Sequence, residues 1–460
     1  MKNPSKSFLL FIMAVILVLG SSCAQSTPET VVETVVVEKE VIETVEVEKE
    51  VKVIETVEVE KEVVKAVQPI IYNSYRTNTT DERRVDELLV EMFNEENPNN
   101  PVQLSSVNHE DFKQAIRAYL VADPAPDVMT WFAGNRARFF IDKGLILDIS
   151  DLWEEQGWNE QFPKGFRAMS EVDGKAYFVP LEWYWWAVFY RTSIFEEYGI
   201  TPPETWDEML AACDTLSGAG IIPITIGTKY RWTAAAWFDY INMRLNGPEF
   251  HLDLMLGKES YDDPRVRNVF VKWRELFDHN CFIEDAAAYS WQEGIVPFNQ
   301  GEAAMYLMGV FILDEAAEEI RDDIDFFRFP VIDPAMPIGE DAPTDGYFMS
   351  VNALNVEGGK QFLAFLGSAE AQTLVVTELG RMAVNPDVDP ALFNPMQQKG
   401  LEMINGADLV VGFYDRDTTP EMADLGMNAM MAFWDDPYNE ALLDQLLADL
   451  EVARQEIFAE

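Results

Sequence analysis

The chain has 460 residues, a hydrophobic fraction of 48% and a formal net charge of −46 at pH 7. At about 150 residues per domain this length predicts two or three domains with a large core, and the composition excludes a chain that is disordered throughout. So negative a surface repels phosphate backbones and anionic lipid headgroups, which argues against nucleic-acid binding and against a basic membrane-docking patch. Three histidines and three cysteines leave few ligands for a metal site or a Cys/His nucleophile pair, so we expect no metal and no cofactor.

The N-terminus reads as an export signal. Lys2 and Lys6 precede an apolar run over 8–19, and small residues then lead to Cys23. The run is too short to span about 30 Å of hydrocarbon and is typical of a secretory signal. A cysteine directly after small residues resembles the lipobox of bacterial lipoproteins, in which that cysteine becomes the lipidated first residue. We therefore predict a signal peptide over 1–22 and a lipid anchor at Cys23; an ordinary signal peptide cut nearby is the alternative.

The next segment, 23–68, is of low complexity. The string VIETVEVEKEV occurs at 41–51 and again at 53–63, and residues 24–68 contain 12 Glu, 5 Lys and no aromatic side chain. Such a composition has little with which to build a core. We predict a solvated stalk that follows the lipid anchor, with a short coiled coil as the alternative.

From residue 69 onwards, strand-like runs alternate with amphipathic helices. The pattern predicts strands at 70–72, 101–107 and 127–129, with helices over 81–94 and 112–120 between them. A β-α-β-α-β order predicts parallel strands under covering helices.

The loops after these three strands are the first candidates for a binding site, because ligands of such sheets bind beyond the carboxyl ends of the strands. Arg76 and Asn78 lie in the first loop, Asn108 in the second and Trp131 in the third. A tryptophan just after a buried strand is not needed for the core, so we predict that Trp131 contacts a ligand, with the three polar residues as further contacts.

Several segments share their order and spacing with a known family. They include Trp131 with 126–128 and 144–149, DGKAYFVP at 173–180, 190–195, PPETWDE at 202–208, FNQGEAAM at 298–305, and Gly380-Arg381. In these segments the chain resembles the extracellular solute-binding proteins of ABC importers, in the sugar-binding group that includes maltose-binding protein. The resemblance covers essentially all of 69–460.

The resemblance implies an α/β, two-lobed periplasmic-binding-protein fold, type II-like, with a hinge and a ligand cleft between the lobes. Lobe one would comprise 69–180 and 331–384, and lobe two 185–330 and 385–460. The chain would not be an enzyme but the substrate-binding component of an ABC transporter. It would be a monomer, anchored by lipid to the outer face of the cytoplasmic membrane, that captures a sugar or oligosaccharide and delivers it to a permease by hinge closure.

A sugar site needs aromatic rings for the C–H faces of the ligand and polar groups for its hydroxyls. The sequence Glu182-Trp183-Tyr184-Trp185-Trp186 follows the strand that would cross between the lobes. Strand alternation points Trp183 and Trp185 to one side, and Tyr184 and Trp186 to the other. One pair belongs to the cleft and the other to the core; we predict that Trp183 and Trp185 face the cleft.

The family also implies contacts from later segments. Trp232 would open a ligand-facing helix of lobe two, and Phe311 follows a glycine where the family commonly has an aromatic contact to sugar. Asp345 and Tyr347 lie at the return to lobe one, where Gly346 would allow the backbone to approach the ligand closely. The sequence does not decide whether Trp291 lines the cleft or lies in an exposed loop.

The sequence leaves two alternatives open. Cys213 and Cys281 could form a disulfide outside the cell, but we expect two separate buried thiols. The strong negative charge would also suit a cationic or peptide ligand in the same fold, and the many carboxylates would allow a tethered glycoside-degrading enzyme.

Overall fold

The computed structural model describes residues 29–41, 53–65, 68–77 and 80–459. The predicted signal peptide, the anchor residue Cys23 and the candidate ligand residue Asn78 lie outside these ranges. The chain divides into two compact units, 1–67 and 68–460.

The described part of the first unit is a pair of antiparallel strands, β1 (Glu29–Val41) and β2 (Val53–Lys65). Glu29 lies opposite Lys65 at one end of the ladder and Val41 opposite Val53 at the other. Valine and threonine, which recur through both strands, favour extended backbone. The coiled-coil alternative is therefore wrong for these residues.

The second unit contains the remaining strands. They are β3 (Ile70–Ser74), β4 (Val102–Ser106), β5 (Val128–Phe132), β6 (Glu171–Val172), β7 (Lys175–Ala176), β8 (Val179–Trp183), β9 (Trp186–Arg191), β10 (Ile222–Ile224), β11 (Ala303–Gly309), β12 (Ile324–Phe327), β13 (Gly339–Asp341), β14 (Thr344–Met349), β15 (Met382–Ala383) and β16 (Leu409–Val411).

Helices cover and connect these strands. They are α1 (Thr80–Glu96), α2 (His109–Val121), α3 (Asn135–Ile141), α4 (Ser150–Glu155), α5 (Trp158–Gln161), α6 (Lys164–Ser170), α7 (Thr192–Glu197), α8 (Trp206–Gly218), α9 (Trp232–Asn246), α10 (Pro248–Met255), α11 (Pro264–Asp278), α12 (Trp291–Gly294), α13 (Val296–Gln300), α14 (Ile312–Glu315), α15 (Val356–Leu366), α16 (Ala369–Leu379), α17 (Pro395–Asn405), α18 (Tyr414–Asp417), α19 (Pro420–Asp435) and α20 (Glu440–Ile457). Among the described residues, no helix is long and apolar enough to cross a bilayer.

Lobe one is built on a six-stranded sheet in the order β15-β8-β14-β5-β3-β4. Its strand β3 runs parallel to both β4 and β5, with α1 and α2 as the connections. The predicted β-α-β-α-β order is thus confirmed. Strands β8 and β14 complete the middle of this sheet in antiparallel pairing.

Lobe two is built on a four-stranded sheet in the order β10-β11-β9-β12. Strand β9 pairs antiparallel with both β11 and β12, and β10 runs parallel to β11. All seven residues of β11 and all six of β9 are buried, as is typical of strands that are covered on both faces.

Three connections pass between the two lobes. The first is the pair Tyr184 and Trp185 between β8 and β9, and the second is the stretch 328–343 between β12 and β14. The third leaves β15 for the C-terminal helices. Strand β13, within the second connection, pairs with β16 of the third. This is the two-lobed architecture with more than one crossing; the exact limits of the lobes stay a prediction.

Cys213 and Cys281 form a disulfide, with their Cα atoms 5.1 Å apart. The expectation of two separate thiols is therefore wrong. Cys213 belongs to α8, which packs on β10, and the carbonyl of Cys281 accepts a hydrogen bond from the N–H of Ile224 in the same strand. One short strand thus brings together two cysteines that are 68 positions apart in the sequence.

Candidate functional site

A cleft opens between the two lobes and encloses about 680 Å³ of non-atom space, open solvent at its mouth included. Both sheets and the segment after β16 contribute to its walls.

The first crossing, lobe two and its C-terminal segment supply six aromatic side chains, which we call the aromatic wall: Tyr184, Trp186, Trp232, Trp291, Phe311 and Phe413. The Trp186 ring stacks on Phe413 at 4.7 Å between centroids and meets the Phe311 ring edge-on at 5.8 Å. Each ring of the wall has at least one ring neighbour within it, so the orientation of the wall is fixed by its own packing.

Backbone geometry places two members of the wall. Trp186 is the first residue of β9 and lies opposite Gly309, the last residue of β11. A Cβ at Gly309 would collide with the Phe311 ring, so the glycine is what allows that ring to fold back over the strand end.

Trp232 is placed by an unusual residue before it. Arg231 has a φ of 68°, in the left-handed region that few side chains adopt, and its guanidinium is held by Asp424 at 3.1 Å and Asn428 at 2.6 Å. Helix α9 begins directly after this turn. The indole N–H of Trp232 then donates a hydrogen bond to Glu110 of lobe one at 3.1 Å, across the cleft.

Lobe one faces the aromatic wall with Tyr75, His109 and Phe132. The rings of Tyr75 and His109 stack at 4.8 Å between centroids. Burial, together with the positive charges of Lys113, Arg416 and Arg136, lowers the pKa of His109 well below its usual range. The imidazole is therefore neutral at pH 7.

One ion pair of the cleft joins Arg416 of α18 to Asp345 of β14 at 2.6 Å. Arg416 also donates to the Tyr184 hydroxyl at 2.8 Å, and its guanidinium lies 4.2 Å from the centroid of the Phe132 ring. A register shift of β14 between Asp345 and Gly346 aims the carboxylate at this arginine.

The other charged groups of the cleft are paired in the same way. Glu182 accepts two hydrogen bonds from Arg76, at 2.8 and 3.3 Å, and Arg381 pairs with Asp314. Asp415 lies 3.8 Å from Arg136 and 3.9 Å from Lys113. Burial opposes ionisation of Asp415, but Arg136, Lys113 and Arg416 together hold its pKa below the ordinary value.

Three neutral polar atoms of the cleft lack a partner. They are the Tyr75 hydroxyl, Nε2 of His109 and the indole nitrogen of Trp186, none of which has a hydrogen-bond partner among the described residues. A buried polar atom without a partner costs free energy, and a ligand hydroxyl that reached these atoms would offset that cost. Within the same described ranges, no group of three or more His, Cys, Asp or Glu side chains is arranged to hold a metal ion.

Of the residues predicted from the sequence, Trp232, Phe311 and Asp345 line the cleft. Trp291, which the sequence left open, lies in the aromatic wall. Asn108 caps helix α2 by accepting the N–H of Glu110 at 3.0 Å, and it lines a neighbouring groove rather than the cleft.

At 183–186, we predicted that Trp183 and Trp185 face the cleft, but the structure places the other pair there. Tyr184 and Trp186 face the cleft, whereas Trp183 donates its indole N–H to the carbonyl of Ala383 at 3.2 Å. Trp185 is fully buried against Gly400 of α17. Alternation holds across the crossing, but helix α17, which covers the Trp183/Trp185 side, lies some two hundred residues further along the chain.

Trp131 is buried in the core of lobe one rather than in the cleft, with 2% of its surface exposed. Strand β5 runs on to Phe132, so Trp131 lies inside the strand, and its indole N–H donates to the carbonyl of Arg136 at 3.2 Å. The ring that reaches the cleft is the next one, Phe132.

Three other predicted residues are buried behind the lining of the cleft: Arg76, Gly346 and Tyr347. Arg76 is buried and orients Glu182, and Tyr347 is fully buried beside the Tyr72 ring. A Cβ at Gly346 would collide with the carbonyl oxygen of Val179. This glycine thus allows β14 to approach β8, not a ligand.

Sequence reasoning missed several residues of the cleft. Tyr75 and His109 lie at the ends of the first two strands of lobe one, directly beside the predicted residues Arg76 and Asn108. Phe413 and Arg416 carry no local signal, because they lie on a short segment far along the chain. Arg381 was part of a family segment, which is the signal that could have identified it.

The sequence profile of one family, described as bacterial extracellular solute-binding protein, matches residues 76–373. The chain belongs to this family. A solved structure of the bacterial solute receptor AcbH, described as having an exclusive preference for β-D-galactopyranose, is similar to this solute-binding protein with a TM-score of 0.80 and 29% identity. The similarity covers 85% of this chain and 99% of that one.

Two curated relatives of this solute-binding protein are similar in sequence. An uncharacterized ABC transporter extracellular-binding protein of Pyrococcus horikoshii is 24% identical over 359 residues, which are 75% of this chain and 79% of the relative. A probable sugar-binding periplasmic protein of Mesorhizobium japonicum is 23% identical over 240 residues, or 49% of this chain and 55% of the relative.

Proposed function

We propose that this chain is the substrate-binding component of an ABC importer and that it captures a neutral sugar outside the cell. The observation that carries the proposal is the composition of the cleft, in which an aromatic wall faces neutral polar atoms without protein partners. Rings stack on the C–H faces of a pyranose, and the Tyr75 hydroxyl, the His109 imidazole and the Trp186 N–H suit its hydroxyl groups.

The charges of the cleft favour a neutral ligand over a cationic one. Asp345, Glu182 and Asp415 are each within reach of an arginine or lysine of the chain itself. A polyamine would have to displace those partners and leave buried cations unpaired, which is costly. The excess of negative charge therefore belongs to the outer surface rather than to the site.

The comparisons support a sugar as the ligand class. AcbH is described by its preference for a galactopyranose, and the Mesorhizobium relative by sugar binding. The family is described as one of solute-binding proteins, which favours binding over glycoside cleavage. We therefore place the chain among receptors and not among enzymes.

Membrane attachment is part of the same proposal. Cys23 would carry the lipid, residues 24–68 would act as the stalk, and the monomer would stay at the outer face of the cytoplasmic membrane beside its permease. Tethering raises the effective concentration of the receptor at the permease. Mass spectrometry of the mature protein tests this: a lipid on Cys23 is expected, and an unmodified N-terminus beyond that residue would contradict it.

A thermal-shift screen of the purified chain tests the ligand class. A ligand stabilises the fold by RT ln(1 + [L]/Kd), so a sugar at 100 times its Kd should add about 2.7 kcal/mol to the free energy of unfolding. The panel contains neutral monosaccharides and disaccharides, spermidine and short peptides. Stabilisation by sugars alone is expected; stabilisation by spermidine or peptides alone would replace the proposal, and turnover of chromogenic glycosides would show an enzyme.

A further inference from the structure

A second cavity adjoins the cleft on its outer side, and we call it the outer groove. It encloses about 860 Å³, open solvent included, and its lining includes Glu110, Lys229, Tyr230 and Trp291. His109 and Trp291 line both the cleft and the outer groove, so the two spaces share a boundary.

A continuous polar contact crosses that boundary. The indole N–H of Trp232, on the cleft side, donates to Oε1 of Glu110, on the groove side, at 3.1 Å. The second carboxylate oxygen of Glu110 lies 3.4 Å from the ammonium group of Lys113. We call Lys113, Glu110 and Trp232 together the partition.

Both ends of the partition are held firmly. On the lobe-one side, Asn108 caps the helix at the N–H of Glu110. On the lobe-two side, the Trp232 ring meets the rings of Trp186 and Phe311 at 5.9 and 6.3 Å and is 8% exposed. The indole therefore cannot swing aside without losing its ring contacts as well as its hydrogen bond.

We propose that Glu110 determines the length of the sugar that the cleft accepts. Its bond to Trp232 closes the cleft against the outer groove, so a single ring is enclosed and a second sugar unit is excluded. A disaccharide would have to break the bond between Glu110 and Trp232 and extend into the outer groove beside Tyr230 and Trp291. This inference rests on the proposed sugar-binding function.

Calorimetric titration of matched sugar pairs tests the inference. D-galactose with lactose, D-glucose with maltose, and D-xylose with xylobiose are titrated into the full chain, and the ratio of disaccharide Kd to monosaccharide Kd is the readout. For the pair that binds, we expect the unsubstituted chain to prefer the monosaccharide at least tenfold. Glu110→Ala should lower this ratio at least tenfold through tighter disaccharide binding.

Three further variants test whether the ratio of the two Kd values depends on the hydrogen bond between Glu110 and Trp232. Glu110→Gln keeps an acceptor for the indole and should leave the ratio within about threefold of its original value. Asp111→Ala removes the same charge from the neighbouring, exposed position of α2 and should behave likewise. Trp232→Phe removes the donor while Glu110 stays, and should lower the ratio even if Glu110→Ala fails to fold.

The outcomes separate the two proposals. A chain that already binds the disaccharide as well as the monosaccharide, or a ratio that Glu110→Ala and Trp232→Phe leave unchanged, overturns the partition and leaves sugar binding intact. A folded chain that binds none of the six sugars overturns both.

Discussion

At the scale of single residues, the Tyr75 hydroxyl offers the most selective test of the cleft. It is buried, belongs to a residue that lines the cleft and has no hydrogen-bond partner among the described residues. Tyr75→Phe should therefore leave the thermal midpoint nearly unchanged. If the hydroxyl bonds a sugar, the variant should lose about 0.5–1.5 kcal/mol of binding free energy, measured by calorimetry with the sugar found in the screen.

Tyr347→Phe is the matched control for this prediction. Tyr347 is likewise a buried tyrosine of lobe one, but it lies in the core and not in the cleft. The Tyr347→Phe variant should bind the sugar with the same affinity as the unsubstituted chain. An equal loss in both variants would mean that the two hydroxyls act through the fold and not through contact with the ligand.

The crossing at 183–186 gives a second test at this scale. Trp186→Ala should weaken sugar binding by about 1–3 kcal/mol, because it removes a ring of the aromatic wall. Trp185→Phe should lower the thermal midpoint and leave the affinity unchanged, since Trp185 packs beneath α17. The reverse result would restore the pair that the sequence favoured.

These residues also show what a sequence can and cannot reveal. Alternation correctly groups Trp183 with Trp185 and Tyr184 with Trp186, because it depends only on extended backbone. Which group is covered depends on Gly400 and its helix, which no local pattern connects to this strand. For the same reason Arg416, a cation of the cleft, was not found.

At the scale of elements, the pairing of β13 with β16 buries an unusual carboxylate. Asp341, the last residue of β13, is fully buried, and neither of its carboxylate oxygens has a hydrogen-bond partner among the described residues. Burial, with the negative charges of Asp239, Asp417 and Glu340, raises the pKa of Asp341 well above its ordinary value, and Arg244 opposes this only in part.

The sign of the resulting pH dependence follows from the raised pKa. The folded state holds this proton more tightly than the unfolded state, so its stabilising contribution is complete below the ordinary pKa near 3.8 and is lost as the pH rises through the raised value. In the unsubstituted chain, this carboxyl should make the free energy of unfolding fall by at most about 1.36 kcal/mol per pH unit. Asp341→Asn should remove that contribution to the slope. Urea unfolding between pH 4 and pH 9 measures it.

Asp322→Asn, at an exposed position of lobe two, is the control for a lost carboxylate. It should leave the pH dependence of unfolding as it is in the unsubstituted chain. Identical slopes in Asp341→Asn and the unsubstituted chain would mean that Asp341 is ionised in the folded state, and that its neighbours accommodate the charge.

At the scale of the whole molecule, the architecture was more accessible than the site. Periodicity predicted the strands and helices of the first part of lobe one, and the order of family segments predicted the two sheets and the crossings. The periodicity and the segment order are each read from many positions along the chain, so a wrong assignment at one position does not change the predicted architecture. The disulfide and the cleft depend on single contacts between distant segments, such as Cys213 with Cys281. No repeated pattern in the sequence indicates which distant residues meet.

The lobes themselves are joined across the cleft by contacts that a ligand would reinforce. Arg416 binds Asp345, Trp232 binds Glu110, and the side chain of Asn135 donates to the carbonyl of Asp417 at 2.9 Å. A sugar that touches both lobes stabilises the closed arrangement by its differential affinity for that state. Small-angle scattering should therefore show a smaller radius of gyration when the sugar is added.

Removing the pair of Arg416 and Asp345 should shift this equilibrium towards the open arrangement. In Arg416→Gln the Asp345 carboxylate keeps no cation in the closed cleft, which costs about 2–5 kcal/mol for a desolvated pair. The ligand-free radius of gyration should rise, and sugar affinity should fall at least tenfold, because binding must now supply the energy of closure. Arg267→Gln removes an arginine that pairs with Glu440 and Asp444 within lobe two, and should change neither quantity. If Arg416→Gln lowers affinity while both scattering curves stay as they are in the unsubstituted chain, Arg416 contacts the sugar directly and the closure of the lobes rests on other contacts.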